Sequence, residues 1–173
     1  MLTADLLTEW RPFFLMVAGA SASLAGLLFV ALSLHVRHIT TVALYRYRAR
    51  LSLSAVTTVL VMASLVLIPR QSALELGLKE AFPLTVIIVV HIVGLVELRR
   101  TGDTARRPYV ARTAAALLLA IVMTVGNILL ATGRPLGLEI LGLCCLLILA
   151  WMLFNAWALV IGLAEETSQQ EPR

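Results

Sequence analysis

Long apolar segments separated by short polar ones restrict the fold of this chain more than any other feature. Five segments qualify, at about 12–34, 51–69, 82–98, 112–132 and 136–164. A helix of about 20 residues crosses the hydrocarbon core of a bilayer, and only helices or closed barrels satisfy their backbone groups there. Barrel strands would alternate in polarity, whereas these segments are continuously apolar. The sequence therefore predicts an all-α, polytopic transmembrane helical bundle with five spans.

The composition agrees with a membrane chain and argues against soluble classes. Of the 173 residues, 60% are hydrophobic and 14% are charged, whereas soluble domains average about 45–50% and about 25%. We expect residues 1–164 to form a single transmembrane domain and residues 165–173 a disordered cytoplasmic tail. No catalytic motif is evident, so we expect neither an enzyme nor a cofactor, a metal site or a nucleic-acid partner.

Arginine is concentrated in the segments that follow the first and the third span. Basic segments remain on the cytoplasmic side of a membrane, so the N-terminus is predicted outside and the C-terminus inside. Arg46, Arg48 and Arg50 alternate with Tyr45 and Tyr47 after the first span. Tyrosine favours the headgroup zone and arginine attracts anionic lipid, so we expect these arginines to contact lipid headgroups. Specific recognition of one lipid is the alternative.

Small residues recur along one face of the first span, at Gly19, Ser23, Gly26 and Ser33. We call them the small-residue stripe. Helices in lipid associate by close packing, which small residues permit, so the stripe predicts a helix–helix contact. The alternative is that the stripe lines a narrow path, with the hydroxyl of Ser21 or Ser23 facing the solute.

The opening of the chain resembles a known group of proteins. Trp10-Arg-Pro-Phe-Phe14, the segment 18–34 and the Pro69-Arg-Gln-Ser72 tetrapeptide are similar to small bacterial membrane proteins labelled as modulators of the FtsH membrane protease. The resemblance covers about the first 70 residues. It implies a multi-pass protein of the bacterial cytoplasmic (inner) membrane, and it supplies no catalytic residue.

Two polar side chains fall inside predicted spans. His91 lies near the centre of the third span and Asn127 lies in the fourth. Polar groups inside a membrane are costly and often mark function. For His91 the alternatives are a neutral, hydrogen-bonded core histidine or a proton-linked gate. For Asn127 they are an interhelical hydrogen bond or a contact with a pore or ligand.

Together these features predict a homo-oligomeric channel or small-solute permeation pathway. Its pore or gating candidates are Ser21, Ser23, His91 and Asn127. The alternative is a non-conducting accessory protein that binds another membrane protein, such as a membrane protease, through its small-residue faces. The expected partners are membrane lipids, further copies of the chain and, in the alternative, that second membrane protein.

Overall fold

A computed structural model describes the chain over residues 4–34, 43–100 and 106–170, with side chains over 6–34, 46–47, 49–96, 110–155 and 157. These residues form five helices and no strand. All five helices are long and apolar enough to cross a membrane, which confirms the predicted helical membrane class. The helices are α1 (Ala4–Leu34), α2 (Ala43–Val66), α3 (Ala73–Arg100), α4 (Arg106–Ala131) and α5 (Leu136–Gln170).

The third helix begins earlier than the sequence suggested. It starts at Ala73 rather than near residue 82, because Ser72 and Glu75 form a reciprocal cap. The Ser72 amide donates to Glu75 Oε2 at 2.9 Å, and the Glu75 amide donates to Ser72 Oγ at 3.2 Å. This pairing satisfies two amides that otherwise have no partner at a helix start. Glu80, predicted to lie in a connecting segment, is therefore helical.

The fifth helix also differs from its predicted end. It continues to Gln170, whereas a disordered tail was expected from residue 165. The continuation has a local reason, because residues 165–170 contain neither proline nor glycine, the two residues that most disfavour a helix.

Two short turns lie at one end of the bundle, which we call the turn end. After α2, Gln71 Nε2 donates to the Leu65 carbonyl at 2.6 Å and so caps that helix. After α4, Gly133 has a φ of 77°. Its amide bonds Leu130 O at 2.8 Å, and the Arg134 amide bonds Leu129 O at 2.9 Å. This is the Schellman pattern, which needs a left-handed residue that glycine supplies without strain.

The five helices pack around two central members. In the part of the chain that the structure describes, α2 contacts α1, α3 and α5, and α5 contacts α1, α2 and α4. The described residues form two buried apolar clusters, and the larger one lies towards the turn end. We call it the turn-end core, and it contains Phe14, Val17, Val59, Met62, Ala63, Val66, Leu76, Leu84, Met123, Leu130, Leu138, Leu141, Cys144 and Cys145.

Candidate functional site

A cavity of about 450 Å³ occupies the other half of the bundle. We call this half the arginine end, because Arg46, Arg50 and Arg112 lie there. All five helices contribute to the cavity wall, which is mainly aliphatic with a few polar groups. Wall residues include Leu28, Leu32, Tyr47, Ala55, Thr58, Ile87, His91, Arg112, Thr113, Ala116, Leu118, Met123, Leu147, Trp151 and Asn155.

Glycines hold α4 and α5 together at the turn end. A Cβ added to Gly126 would lie 2.7 Å from Ile140 Cγ2, and one added to Gly137 would collide with the Leu130 backbone. Towards the arginine end both helices line the cavity. There Leu118 is 63% exposed and Trp151 is 49% exposed. The cavity therefore opens sideways along these two helices, and we call it the lateral cleft.

Tyr47 forms a polar part of the cleft wall. Its ring lies against Gly94 in α3, where no Cβ would fit. Its hydroxyl forms a 2.8 Å hydrogen bond with Thr113 Oγ1 in α4. Burial raises the pKa of the phenol, and the hydrogen bond to Thr113 opposes this shift only in part. Tyr47 was interpreted from sequence as a headgroup anchor; in the structure it is a buried residue that joins three helices.

His91 also lines the cleft. Its Nδ1 lies 2.8 Å from the Ile87 carbonyl. Because a carbonyl only accepts hydrogen bonds, Nδ1 carries the proton, and Nε2 is the ring nitrogen left for a cleft occupant. The hydrogen bond fits the interpretation of His91 as a bonded core histidine, while its position on the cavity wall keeps it in the candidate site.

Positive charge is available at the arginine end of the cleft. Arg112 contributes to its wall. Arg46 and Arg50, predicted to contact lipid headgroups, are both exposed. The side chain of Arg48 lies outside the described residues. The cleft thus has an apolar interior and one arginine, Arg112, in its wall. We call this end of the cleft, with the exposed Arg46 and Arg50 at the same end of the bundle, its basic rim.

Ser21 and Ser23, the two pore or gating candidates in α1, point in different directions. Ser21 is buried, and its hydroxyl donates to the Val17 carbonyl at 2.7 Å. Ser23 is exposed and donates to the Gly19 carbonyl at 3.0 Å. The rest of the small-residue stripe is also exposed. A Cβ added at Gly19 or Gly26 would meet no described atom within 4 Å. Within the part of the chain that the structure describes, no other helix packs against Gly19 or Gly26.

Asn127 lies away from the cleft. Its Nδ2 donates to the Gly77 carbonyl of α3 at 3.0 Å, which is the interhelical hydrogen bond given above as one alternative. Gly77 permits this close approach, because a Cβ there would lie only 2.6 Å from Ala131 Cβ. The four pore or gating candidates are thus not brought together. His91 faces the cleft, Asn127 bonds Gly77, and the serines lie on opposite sides of α1.

Glu80 is the polar residue that sequence reasoning missed. It is 1% exposed, and neither carboxyl oxygen has a hydrogen-bond partner among the described residues. The sequence predicts a connecting segment between the second and third spans, and that segment includes Arg70, Glu75, Lys79 and Glu80. The Ser72-x-x-Glu75 spacing was the available signal that the helix begins before it.

Comparisons of the chain with models of known families, with curated proteins and with solved structures find no significant match in any of the three.

Proposed function

We propose that this integral membrane protein binds an anionic lipid, with an acyl chain in the lateral cleft and the headgroup at its basic rim. The observation that carries the proposal is the cleft itself. Its volume of about 450 Å³ falls in the range of about 300–1,000 Å³ that is typical of small-molecule sites. Its wall is mainly aliphatic, and it opens along membrane-spanning helices, where an acyl chain is the available occupant.

The basic rim supports the choice of an anionic headgroup. Arg112 lies on the cleft wall, and Arg46 and Arg50 are exposed at the same end. Each arginine near a membrane surface contributes about 1 kcal/mol towards anionic lipid. Tyr47, Thr113 and His91 supply neutral hydrogen-bonding groups on the wall. This arrangement favours an amphiphile over a fully apolar ligand.

The proposal assigns a binding role rather than catalysis. It includes the location expected from sequence, the bacterial cytoplasmic membrane, with the arginine end on the cytoplasmic side. In that orientation the headgroup would be drawn from the cytoplasmic leaflet. An accessory protein for another membrane protein, as the resemblance to FtsH modulators implies, is compatible with lipid binding.

A homo-oligomeric channel or permeation pathway is the second candidate function. The observation that favours it is the small-residue stripe, which is exposed and leaves space for a second helix at Gly19 and Gly26. In this candidate the path would run between protomers, because the turn-end core fills the protomer interior. The same exposed face would serve an accessory protein that docks on a different membrane protein.

Native mass spectrometry of the protein released from nanodiscs tests lipid binding. The discs contain equal amounts of phosphatidylglycerol and phosphatidylcholine. We expect the protein to retain phosphatidylglycerol preferentially. Arg112→Gln should reduce that preference about fivefold, which corresponds to about 1 kcal/mol. Arg134→Gln, at the turn end, is the charge-matched control and should leave the preference unchanged.

A second variant tests the cleft rather than the charge. Ala116→Trp places a large ring on the cleft wall and should abolish the retained lipid. Ala114→Trp adds the same ring to an exposed position of the same helix, and this variant should still retain the lipid. Equal retention by both variants, or no preference for phosphatidylglycerol in the wild type, would contradict the proposal.

A further inference from the structure

Three side-chain oxygen atoms near the turn end are buried and receive no hydrogen bond from any residue that the structure describes. They are both carboxyl oxygens of Glu80 and the Oδ1 of Asn127. Among the described side chains, no other nitrogen or oxygen atom is buried without a partner. All three atoms are hydrogen-bond acceptors, so they cannot satisfy one another. The arrangement lacks a donor.

The backbone brings these atoms to the same region. The amide of Asn127 reaches the Gly77 carbonyl, and Glu80 follows Gly77 by three residues on α3. Side chains three residues apart share a helix face, and helical side chains lean back towards the preceding turn. The Glu80 carboxyl therefore leans towards the turn that Asn127 contacts.

Among the described residues, none places a positive charge beside Glu80. Cys145 of α5 lies within electrostatic range of the Glu80 carboxyl, with Cys144 beside it. α2 presents the apolar residues of the turn-end core. On α3 itself, Lys79 is exposed, and its Nζ bonds Gln71 Oε1 at 3.2 Å. An ionised carboxylate here would be a buried, unpaired charge, which is among the most costly arrangements in a membrane interior.

We propose that Glu80 is a buried proton-binding site, with the proton held on the carboxyl group and donated to Asn127 Oδ1. A protonated carboxyl supplies the one missing donor and removes the charge. Losing the proton would restore the charge inside the turn-end core and open that end of the bundle. The site therefore couples the packing of α3, α4 and α5 to proton uptake. This inference does not depend on lipid binding in the cleft.

A metal cation fits these atoms less well than a proton. Hard cations such as Mg²⁺ and Ca²⁺ take about six or more oxygen ligands, and three are available here. Within the described residues there is also no group of three or more His, Cys, Asp or Glu side chains that could hold a metal ion.

Infrared difference spectroscopy of the full-length protein in liposomes tests the proposal. At neutral pH, we expect the carbonyl stretch of a protonated carboxylic acid, with a downshift in D₂O. The band should be lost in Glu80→Gln, whose amide keeps the shape and supplies a donor. Glu139→Gln alters an exposed glutamate and should leave the band unchanged. Asn127→Leu should shift the band, because it removes the proposed acceptor.

Thermal unfolding supplies a second readout. Because folding would take up the Glu80 proton, the wild-type Tm should fall as pH rises, whereas the Tm of Glu80→Gln should change much less. Absence of the infrared band in a folded wild type would overturn the proposal, as would a band that survives in Glu80→Gln. A band unchanged by Asn127→Leu would overturn the assignment of Asn127 as the acceptor.

Discussion

Tyr47 joins three helices through one side chain. It belongs to α2, its ring covers Gly94 of α3, and its hydroxyl bonds Thr113 of α4. In a membrane, helices gain little from burying apolar surface against one another, so close packing and interhelical hydrogen bonds carry more of the association. Tyr47 uses both, and it forms part of the cleft wall.

Gly94→Ala tests this contact. The new Cβ would collide with the Tyr47 ring, and overpacking of this kind costs about 1–3 kcal/mol. We expect a lower Tm in detergent and a smaller lipid-retention signal. Gly19→Ala is the matched control, because its Cβ would meet no described atom within 4 Å. A Gly94→Ala protein as stable as the Gly19→Ala protein would rule out the described packing of Tyr47.

At the scale of helices, α3 and α4 are joined where Gly77 faces Ala131. Only the absence of a Cβ at Gly77 allows Asn127 to reach the Gly77 carbonyl at 3.0 Å. The same approach buries Glu80 one turn further along. The geometry of the turn-end core therefore depends on one glycine–alanine contact between two helices.

Exchanging the two residues tests that contact. Gly77→Ala alone should destabilise the protein by about 1–3 kcal/mol, because its Cβ would lie 2.6 Å from Ala131 Cβ. Adding Ala131→Gly removes the opposing Cβ and should restore part of the loss. The comparison uses thermal unfolding of both variants and of Ala131→Gly alone. Strictly additive effects would show that the two residues are not in contact.

The presence of the five helices could be predicted from this sequence. Which side chains contact one another between helices could not. The apolar segments predict all five helices, because length and hydropathy decide whether a segment spans a membrane. Glu80 shows the limit. Its burial depends on α4 and α5, which are distant in sequence, and no periodicity in α3 distinguishes a carboxyl facing a core from one facing water. The exposure of the small-residue stripe could not be predicted either. The same pattern of small residues suits a contact with another helix of the same chain or with a helix of a different molecule.

The two halves of the molecule differ in packing: the larger buried cluster lies in one, and a smaller cluster borders the lateral cleft in the other. The turn-end core closes one end, and the lateral cleft occupies the other. The basic residues Arg46, Arg50 and Arg112 lie at the open end. By the positive-inside rule we expect this end to face the cytoplasm. The cleft would then have access to the leaflet where anionic lipid is available to basic residues.

Reporter fusions test the orientation. A fluorescent protein that matures only in the cytoplasm should be bright when fused after Arg173 and dark when fused before Met1. A periplasmic phosphatase should give the reverse pattern. Bright fluorescence from the N-terminal fusion together with an active C-terminal phosphatase would place the arginine end outside and would remove the expected source of anionic headgroups.

Substitutions in and beside the small-residue stripe test whether the molecule associates with further copies of itself. Gly26→Leu fills the space that a second helix would occupy, while Leu27→Ala alters the adjacent exposed residue without filling it. If protomers associate through the stripe, crosslinking in liposomes should yield oligomers for the wild type and for Leu27→Ala but few for Gly26→Leu. Equal oligomer yields for all three proteins would exclude the stripe as the contact.

Mapping of a photoreactive phosphatidylglycerol tests lipid binding in the cleft most directly. The lipid carries its reactive group in the acyl chain, and adducts in liposomes are located by mass spectrometry. The account predicts adducts concentrated at Leu118, Leu147 and Trp151, in excess of those at Leu27 and Phe29, although these two are 69% and 65% exposed. Adducts that simply follow exposure, with α1 labelled as heavily as the cleft, would contradict it.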